Sequence, residues 1–215
     1  MDIGYIAIVL GVILVSMTLH EAMHAYMSYF LGDDTAKAQG RLTLNPIKHI
    51  DPFLTILLPI LLAITPGAPI FGGAKPVPFN PHRVRYGDWG AALVAVAGPL
   101  TNLLIAFMAF GVGVLTGVVT SEGVVVGLPG TIIMTAVQVN LGFFVFNMLP
   151  LPPLDGSRVL YALAPEAVRR VMEQIERFGI IVVFAVVMLG SSIIWAIMGW
   201  SMSGIIDAFM WVFRI

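Results

Sequence analysis

Long apolar segments alternate with short polar ones along most of this chain. The first segment begins at Ile3, and its first seventeen residues, Ile3 to Leu19, carry no charge. At about 1.5 Å per residue, the run as far as residue 31 exceeds the roughly 30 Å hydrocarbon core of a bilayer. Three later segments share this character. The pattern therefore predicts four membrane-spanning helices, at residues 3–31, 89–115, 131–149 and 178–200.

The region between the first two predicted spans follows a different pattern. An apolar piece at residues 53–64 is about twelve residues long and is interrupted by Pro59, so it is too short to span and is better interpreted as re-entrant or interfacial. Its flanks, GRLTLNPIKHIDP and FGGAKPVPFNPHR, are rich in Gly, Pro and Asn. We predict one all-α polytopic domain over residues 1–215, with a re-entrant, β-like segment after its first helix.

The third predicted span runs into NMLPLPPLDGSR, where three prolines fall within four positions. Proline cannot sustain a regular helix, so we expect the backbone to unwind at Pro150, Pro152 and Pro153. A polar stretch over residues 157–177 then predicts a surface helix before the fourth span.

Composition supports a membrane protein. Of the chain's 215 residues, 59% are hydrophobic and 11% are charged, and the mean hydropathy is +0.96. Soluble domains carry roughly 25% charged residues. A net charge of −1 offers no basic surface for nucleic acid, and without cysteine any metal must be held by His, Asp or Glu.

Ten of the eleven Lys and Arg residues fall in two loops, at residues 32–88 and 154–177. Positive residues concentrate in cytoplasmic loops, so both loops are predicted to be cytoplasmic and the N-terminus to lie outside. We expect a multi-pass protein of the cell membrane.

The first span contains the motif HEAMH at residues 20–24. Residues four apart share one face of a helix, so His20 and His24 can hold one ion, while Glu21 lies close enough to act on a water as a general base. Because ionisable groups at membrane depth are costly, by about 2.5–3.5 kcal/mol for a charged residue, a functional interpretation outweighs chance.

A catalytic zinc uses three protein ligands, so a third must come from elsewhere in the chain. Asp155 is the best candidate, because it directly follows a span that returns to the cytoplasmic side, on backbone unwound by prolines. The site would then open to the cytoplasm. The other candidates are Asp51, Asp88, His49, His82 and Glu122. His49 and His82 are expected to be solvated or interfacial, and Glu122 lies on the wrong side of the predicted membrane.

HEAMH, NMLPLPPLDG at residues 147–156 and GPLTN at residues 98–102 together resemble the site-2 protease family of intramembrane zinc metalloproteases. The resemblance covers nearly the whole chain, in a minimal form without PDZ or CBS domains. It implies one zinc ion held by His20, His24 and Asp155, with Glu21 as base and acid. It also implies that Asn147 binds substrate or stabilises the oxyanion.

The implied activity is hydrolysis of peptide bonds in membrane-embedded protein or peptide substrates, near the cytoplasmic leaflet, as in regulated intramembrane proteolysis. A membrane partner could regulate it. The alternatives are a prenyl-peptide-type membrane metalloprotease, against which Asp155 argues, and a zinc-binding membrane scaffold or transporter without proteolytic activity. An intact Glu21 counts against the scaffold, because metal retention alone needs no base beside the ligands.

Two further segments are expected to lie near the site. GPLTN is more simply a helix-packing site than a direct contributor of Asn102 to the catalytic cavity. In residues 71–79, Pro76 and Pro78 alternate with Val77 and forbid a helix, which favours extended backbone. We expect this segment to approach the pocket and to pair with an unwound substrate by strand addition, with Val77 as a donor.

Overall fold

The computed structural model describes residues 3–57, 60–61, 73–179, 181–183, 185 and 191–215. Its α-helices are α1 (Ile3–Phe30), α2 (Thr35–Ala38), α3 (Gly87–Leu115), α4 (Leu128–Asn147), α5 (Asp155–Leu163), α6 (Glu166–Glu176) and α7 (Ser191–Phe213). A 3₁₀ turn at Pro46–Lys48 and a wider helical turn at Pro52–Leu57 lie between α2 and α3. Between α3 and α4, β1 (Val119–Thr120) and β2 (Gly123–Val124) form a small antiparallel hairpin.

Four of these helices, α1, α3, α4 and α7, are long and apolar enough to cross a membrane. The predicted all-α polytopic fold is confirmed, and the protein is an integral membrane protein. The third span starts at Leu128, earlier than the predicted residue 131, because Pro129 is tolerated in the first helical turn.

The predicted end of the fourth span at residue 200 is too early. The described part of α7, Ser191–Phe213, continues past residue 200, because the residues after 200 remain apolar apart from Asp207. Residues 181–183 are also helical, whereas residues 180, 184 and 186–190 lie outside the described part of the chain.

The predicted surface helix at 157–177 is divided into α5 and α6. Pro165 causes the break: α5 ends at Leu163, Ala164 and Pro165 are extended, and α6 begins at Glu166 directly after the proline. The unwinding expected at Pro150–Pro153 is present, since α4 ends at Asn147 and regular helix resumes only at Asp155.

The predicted re-entrant segment at residues 53–64 is only partly described. Residues 52–57 form the wide helical turn, while residues 58–59 and 62–72 lie outside the described residues. A re-entrant path through the membrane therefore stays a prediction.

The helix α3 is the centre of the bundle, since it packs against α1, α4, α5 and α7. Lipid tails are as apolar as leucine, so helices in a bilayer associate through close packing and polar contacts. Towards the end of α3, Phe110 packs against Phe209 and Phe213 of α7, with ring centroids 5.7 and 5.9 Å apart. This apolar cluster closes the end of the bundle that carries the hairpin.

Polar contacts join the end of α1 to the chain that follows α2. The buried carboxylate of Asp33 accepts hydrogen bonds from the backbone N–H groups of Thr35 and Asn80. The Arg41 guanidinium donates to the Lys75 carbonyl at 2.6 Å. These bonds hold residues 73–80 against the second half of α1, where the HEAMH motif lies.

Candidate metal centre

Two buried histidines of α1 face each other. His20 and His24 are one helical turn apart, and their Nε2 atoms are 3.0 Å apart. The rings meet edge to face, with centroids 4.6 Å apart. The predicted convergence of the two side chains on one point is present.

The opposite ring nitrogens are both hydrogen-bonded to α3. His24 Nδ1 donates to the Val94 carbonyl at 2.7 Å, and His20 Nδ1 donates to Asn102 Oδ1 at 2.6 Å. A carbonyl oxygen can only accept, so the proton of His24 must be on Nδ1. In the neutral imidazole each Nε2 atom then carries a free lone pair, which is the form of histidine that binds a metal through Nε2.

Gly98 makes this contact between α1 and α3 possible. A Cβ atom at position 98 would lie 2.4 Å from His24 Nε2 and 2.8 Å from His20 Cε1. Val94, Gly98 and Asn102 are spaced at four-residue intervals, so they form one stripe along α3. GPLTN therefore does more than pack helices, because its first and last residues, Gly98 and Asn102, support the imidazoles.

The structure brings Asp155 to the same point. Its Oδ2 atom lies 3.2 Å from His20 Nε2 and 3.5 Å from His24 Nε2. Asp155 is the first residue of α5 and follows the proline-rich turn. Gly156 permits the turn to fold tightly over the end of α4, because a Cβ there would lie 2.3 Å from the Met148 carbonyl oxygen.

The three converging atoms are all acceptors. Two imidazole nitrogens and a carboxylate oxygen face one another, and such a cluster needs a positive charge between them, either a bound metal ion or a proton on one of the imidazoles. Two imidazoles and one carboxylate form a ligand set that zinc uses in hydrolytic enzymes, with room for a water as the fourth ligand. The residues that are present therefore fit a zinc ion.

Glu21 also lies beside the histidines. Its carboxylate and the two imidazoles offer ligand atoms that lie within 4.8 Å of one another. Glu21 Oε2 accepts a hydrogen bond of 2.7 Å from the backbone N–H of Val77. This bond holds one carboxylate oxygen of Glu21 against the segment at residues 73–80.

That bond corrects the expectation that the Val77 N–H is free to pair with a substrate. The segment does approach the pocket, but the N–H groups of Gly73, Lys75 and Val77 all donate to protein acceptors, namely Leu54 O, His49 O and Glu21 Oε2. Alternate residues of an extended chain face opposite sides, so the odd-numbered edge is already bonded.

A cavity of about 770 Å³ opens beside the motif. Its walls include side chains of α1, α4 and α7 and the segment from Gly73 to Phe79, and most of them are apolar. Val9, Ile13 and Met17 continue the cavity along α1, away from Glu21.

Asn147 also lines this cavity, as a half-buried residue at the end of α4. Its Nδ2 atom donates to the Phe143 carbonyl at 3.0 Å. An amide nitrogen carries two hydrogens, so one remains for another acceptor.

Two of the other ligand candidates have structural roles. Asp51 accepts hydrogen bonds from the backbone N–H groups of Phe53 and Leu54, and so begins the wide helical turn. Asp88 forms an ion pair of 2.7 Å with Arg169, which joins the start of α3 to α6.

The three remaining ligand candidates, His82, Glu122 and His49, do not belong to the metal centre. His82 is exposed, as expected, and Glu122 lies in the exposed hairpin beyond the far end of α3. A solvated His49 is ruled out: only 1% of its surface is exposed, and its Nε2 contacts the Thr43 carbonyl at 2.8 Å. His49 is buried because its loop folds under the segment that contains Lys75.

Sequence reasoning missed Asn140, which is fully buried in α4. Its Oδ1 accepts a hydrogen bond of 2.8 Å from Asn102 Nδ2. A signal was present, since an amide in an apolar span is costly and position 140 lies two helical turns before Asn147.

Comparison with known proteins identifies relatives over nearly the whole chain. Residues 118–190 match the model of peptidase family M50. The chain is 43% identical over 206 residues to "Putative zinc metalloprotease YwhC" of Bacillus subtilis, covering 94% of this chain and 90% of that relative. It is 30% identical over 181 residues to "Putative zinc metalloprotease Rip2" of Mycolicibacterium smegmatis, covering 84% of this chain and 66% of that relative. No solved structure matches the chain.

Proposed function

We propose that this chain, which belongs to peptidase family M50, is an intramembrane zinc endopeptidase that hydrolyses peptide bonds of membrane-embedded substrates. The observation that carries this proposal is the convergence of His20 Nε2, His24 Nε2 and Asp155 Oδ2 beside Glu21. Two names among the relatives, both zinc metalloproteases, support the same metal.

His20, His24 and Asp155 would hold the ion. Zinc bound there supplies a Lewis acid that polarises the substrate carbonyl and makes a water acidic at neutral pH. The ring nitrogens that face α3 remain protonated and keep both imidazoles in position.

Glu21 acts as the proton carrier. Its Oε2 is held by Val77, and among the described residues none donates to Oε1, which is available to the attacking water. Glu21 accepts one proton from that water as the C–O bond forms. It returns the proton to the leaving nitrogen as the C–N bond breaks, which balances the hydrolysis.

Asn147 would stabilise the oxyanion that forms from the substrate carbonyl. Its bond to the Phe143 carbonyl uses one of its two amide hydrogens, and the side chain lines the cavity wall. Loss of one such donor typically lowers the rate by about 10²–10³-fold.

The cavity supports an apolar substrate. From Val9 to Glu21 the cavity wall follows about 18 Å of α1 at about 1.5 Å per residue, which is enough for an apolar segment beside the scissile bond. Substrate strand addition along residues 74–78 remains part of the proposal. The opposite edge of this segment is formed by the even-numbered residues and includes Pro76 and Pro78. Proline has no backbone N–H, so this edge offers mainly carbonyl acceptors.

We place the site near the cytoplasmic leaflet of the cell membrane, because the loops next to it carry nearly all the positive residues. Since the chain has no cysteine, single-cysteine variants can test this orientation. Lys37→Cys and Arg170→Cys should react with an impermeant thiol reagent from the cytoplasmic side, and Glu122→Cys from outside. Reaction of Lys37→Cys and Glu122→Cys from the same side would refute the orientation.

Metal analysis and a cleavage assay on purified wild type and Glu21→Gln test the function. Wild type should contain one zinc ion and cleave a single-span substrate. Glu21→Gln should keep the zinc and lose cleavage, because the amide cannot accept the proton. Zinc binding without cleavage by the wild type would favour the scaffold or transporter, and near wild-type turnover of Glu21→Gln would refute the mechanism.

A further inference from the structure

A chain of two buried amides extends from the metal centre through α3 into α4. His20 Nδ1 contacts Asn102 Oδ1 at 2.6 Å, Asn102 Nδ2 donates to Asn140 Oδ1 at 2.8 Å, and Asn140 Nδ2 donates to the Ala136 carbonyl at 2.8 Å. Asn102 and Asn140 are both fully buried. The chain therefore joins three of the four spanning helices.

The direction of every bond in this chain follows from its last acceptor. The Ala136 carbonyl can only accept, so Asn140 must present Nδ2 to it and Oδ1 to Asn102. Asn102 must then present Nδ2 to Asn140 and Oδ1 to His20. Since Oδ1 can only accept, His20 carries a proton on Nδ1, and in the neutral imidazole its Nε2 lone pair is free for a metal.

The two histidines thus reach the same protonation pattern by different routes. His24 is fixed directly by a backbone carbonyl, whereas His20 depends on two side chains. Unsatisfied amides are costly in an apolar bundle, so two fully buried asparagines need a reason to be retained. Holding the ring of His20 supplies that reason.

We propose that Asn102, oriented by Asn140, is a positioning residue that fixes the ring and the protonated nitrogen of His20, so that Nε2 points at the metal. This inference rests on the proposed zinc site. Neither asparagine touches the substrate or the reacting atoms in this role.

Zinc affinity of the purified full-length protein, measured by competition with a chelator, tests the proposal. Asn102→Leu removes the acceptor at similar volume and should weaken zinc binding about 10–100-fold, the usual effect of losing the partner of a metal-binding histidine. Asn102→Asp keeps an acceptor for His20 Nδ1 and should restore most of the affinity. Asn140→Leu should have a smaller effect, because Asn102 can still face His20.

Thr101→Ala is the matched control. Thr101 is the neighbouring polar residue on α3, and its hydroxyl donates only to the Ala97 carbonyl of the same helix. The variant should bind zinc like the wild type. A folded Asn102→Leu protein with wild-type affinity would overturn the proposal, and so would an Asn102→Asp protein as weak as Asn102→Leu.

A spectroscopic measurement separates positioning from a general effect on stability. In zinc-loaded protein with ¹⁵N-labelled histidine, the Nδ1–H proton of His20 should be visible and should move downfield in Asn102→Asp, because a carboxylate is the stronger acceptor. An unchanged resonance would contradict the proposal. Wild type that binds no zinc would instead refute the proposed function, and this inference with it.

Discussion

The two halves of α3 perform different tasks. The metal-side half, residues 94–102, contacts the histidines of α1 through a carbonyl, an amide and the space left by Gly98. The distal half, residues 106–115, packs Phe110 and its glycines against apolar side chains of α4, α7 and the hairpin. One helix therefore contains a region built for orientation and a region built for packing.

Substitutions in the two regions should therefore affect different properties of the protein. Packing is spread over many contacts, so damage to the distal half should lower stability by amounts that scale with the lost volume. Orientation in the metal-side half depends on a few atoms. Damage there should lower metal affinity while most of the packing remains intact.

The largest expected effect is on stability, from Phe110→Ala in the distal half. Phe110 is 2% exposed, and its removal should cost about 3–5 kcal/mol in the free energy of unfolding. Denaturation in mixed micelles measures the loss. Met108→Ala is the control, because Met108 is half exposed on the same helix and should change stability by less than about 0.5 kcal/mol.

The folded fraction of Phe110→Ala should bind zinc with wild-type affinity. Weakened zinc binding by this variant would show that the two halves of α3 are not separable.

The next-largest effect comes from replacing one glycine by alanine in each half of α3. In Gly98→Ala the new methyl group collides with both imidazoles, so zinc affinity should fall at least about 10–100-fold. In Gly111→Ala the methyl group meets the Phe213 ring at 2.8 Å, and that side chain can move. Gly111→Ala should lower stability by about 1–3 kcal/mol and leave zinc affinity unchanged. Equal effects of the two variants on zinc affinity would remove the distinction.

The smallest predicted effect concerns the polar cluster around Asp33, which lies away from the metal centre. Hydrogen bonds from Thr35 and Asn80 hold the pKa of the Asp33 carboxyl below its usual range, although burial alone would raise it. A lowered pKa in the folded state stabilises the protein at neutral pH, and this contribution is lost as the pH falls through the acidic range.

Asp33→Asn should therefore cost about 1–2 kcal/mol at neutral pH and less in acid. The matched control is Asp34→Asn, because Asp34 is exposed and its ion pair within the described part of the chain is with the exposed Arg83. Unfolding measured over a range of acidic to neutral pH distinguishes the two variants. A constant deficit of Asp33→Asn at every pH would show that its charge has no part in stability.

Local signals made much of this molecule predictable. Four spans follow from runs of apolar residues, the pairing of His20 with His24 from their spacing on a helix, and the turn before Asp155 from its prolines. The match to peptidase family M50 confirms the resemblance to the site-2 protease family.

Long-range contacts were not predictable from these signals. Val77 meets Glu21 although 56 positions separate them, and Asn102 meets His20 across 82 positions. Neither partner carries a local pattern that specifies the other. The burial of His49 was missed for the same reason, because its loop position suggested solvent and only the path of the later segment covers it.

X-ray absorption at the zinc edge tests the central claim most directly, because Asp155 and Glu21 both lie beside the histidines. The account predicts two imidazole ligands at about 2.0–2.1 Å and a carboxylate oxygen at about 2.0–2.2 Å. Asp155→Ala should remove that oxygen and weaken zinc binding, whereas Glu21→Gln should leave the spectrum unchanged. A spectrum altered by Glu21→Gln but not by Asp155→Ala would make Glu21 the ligand and contradict the account.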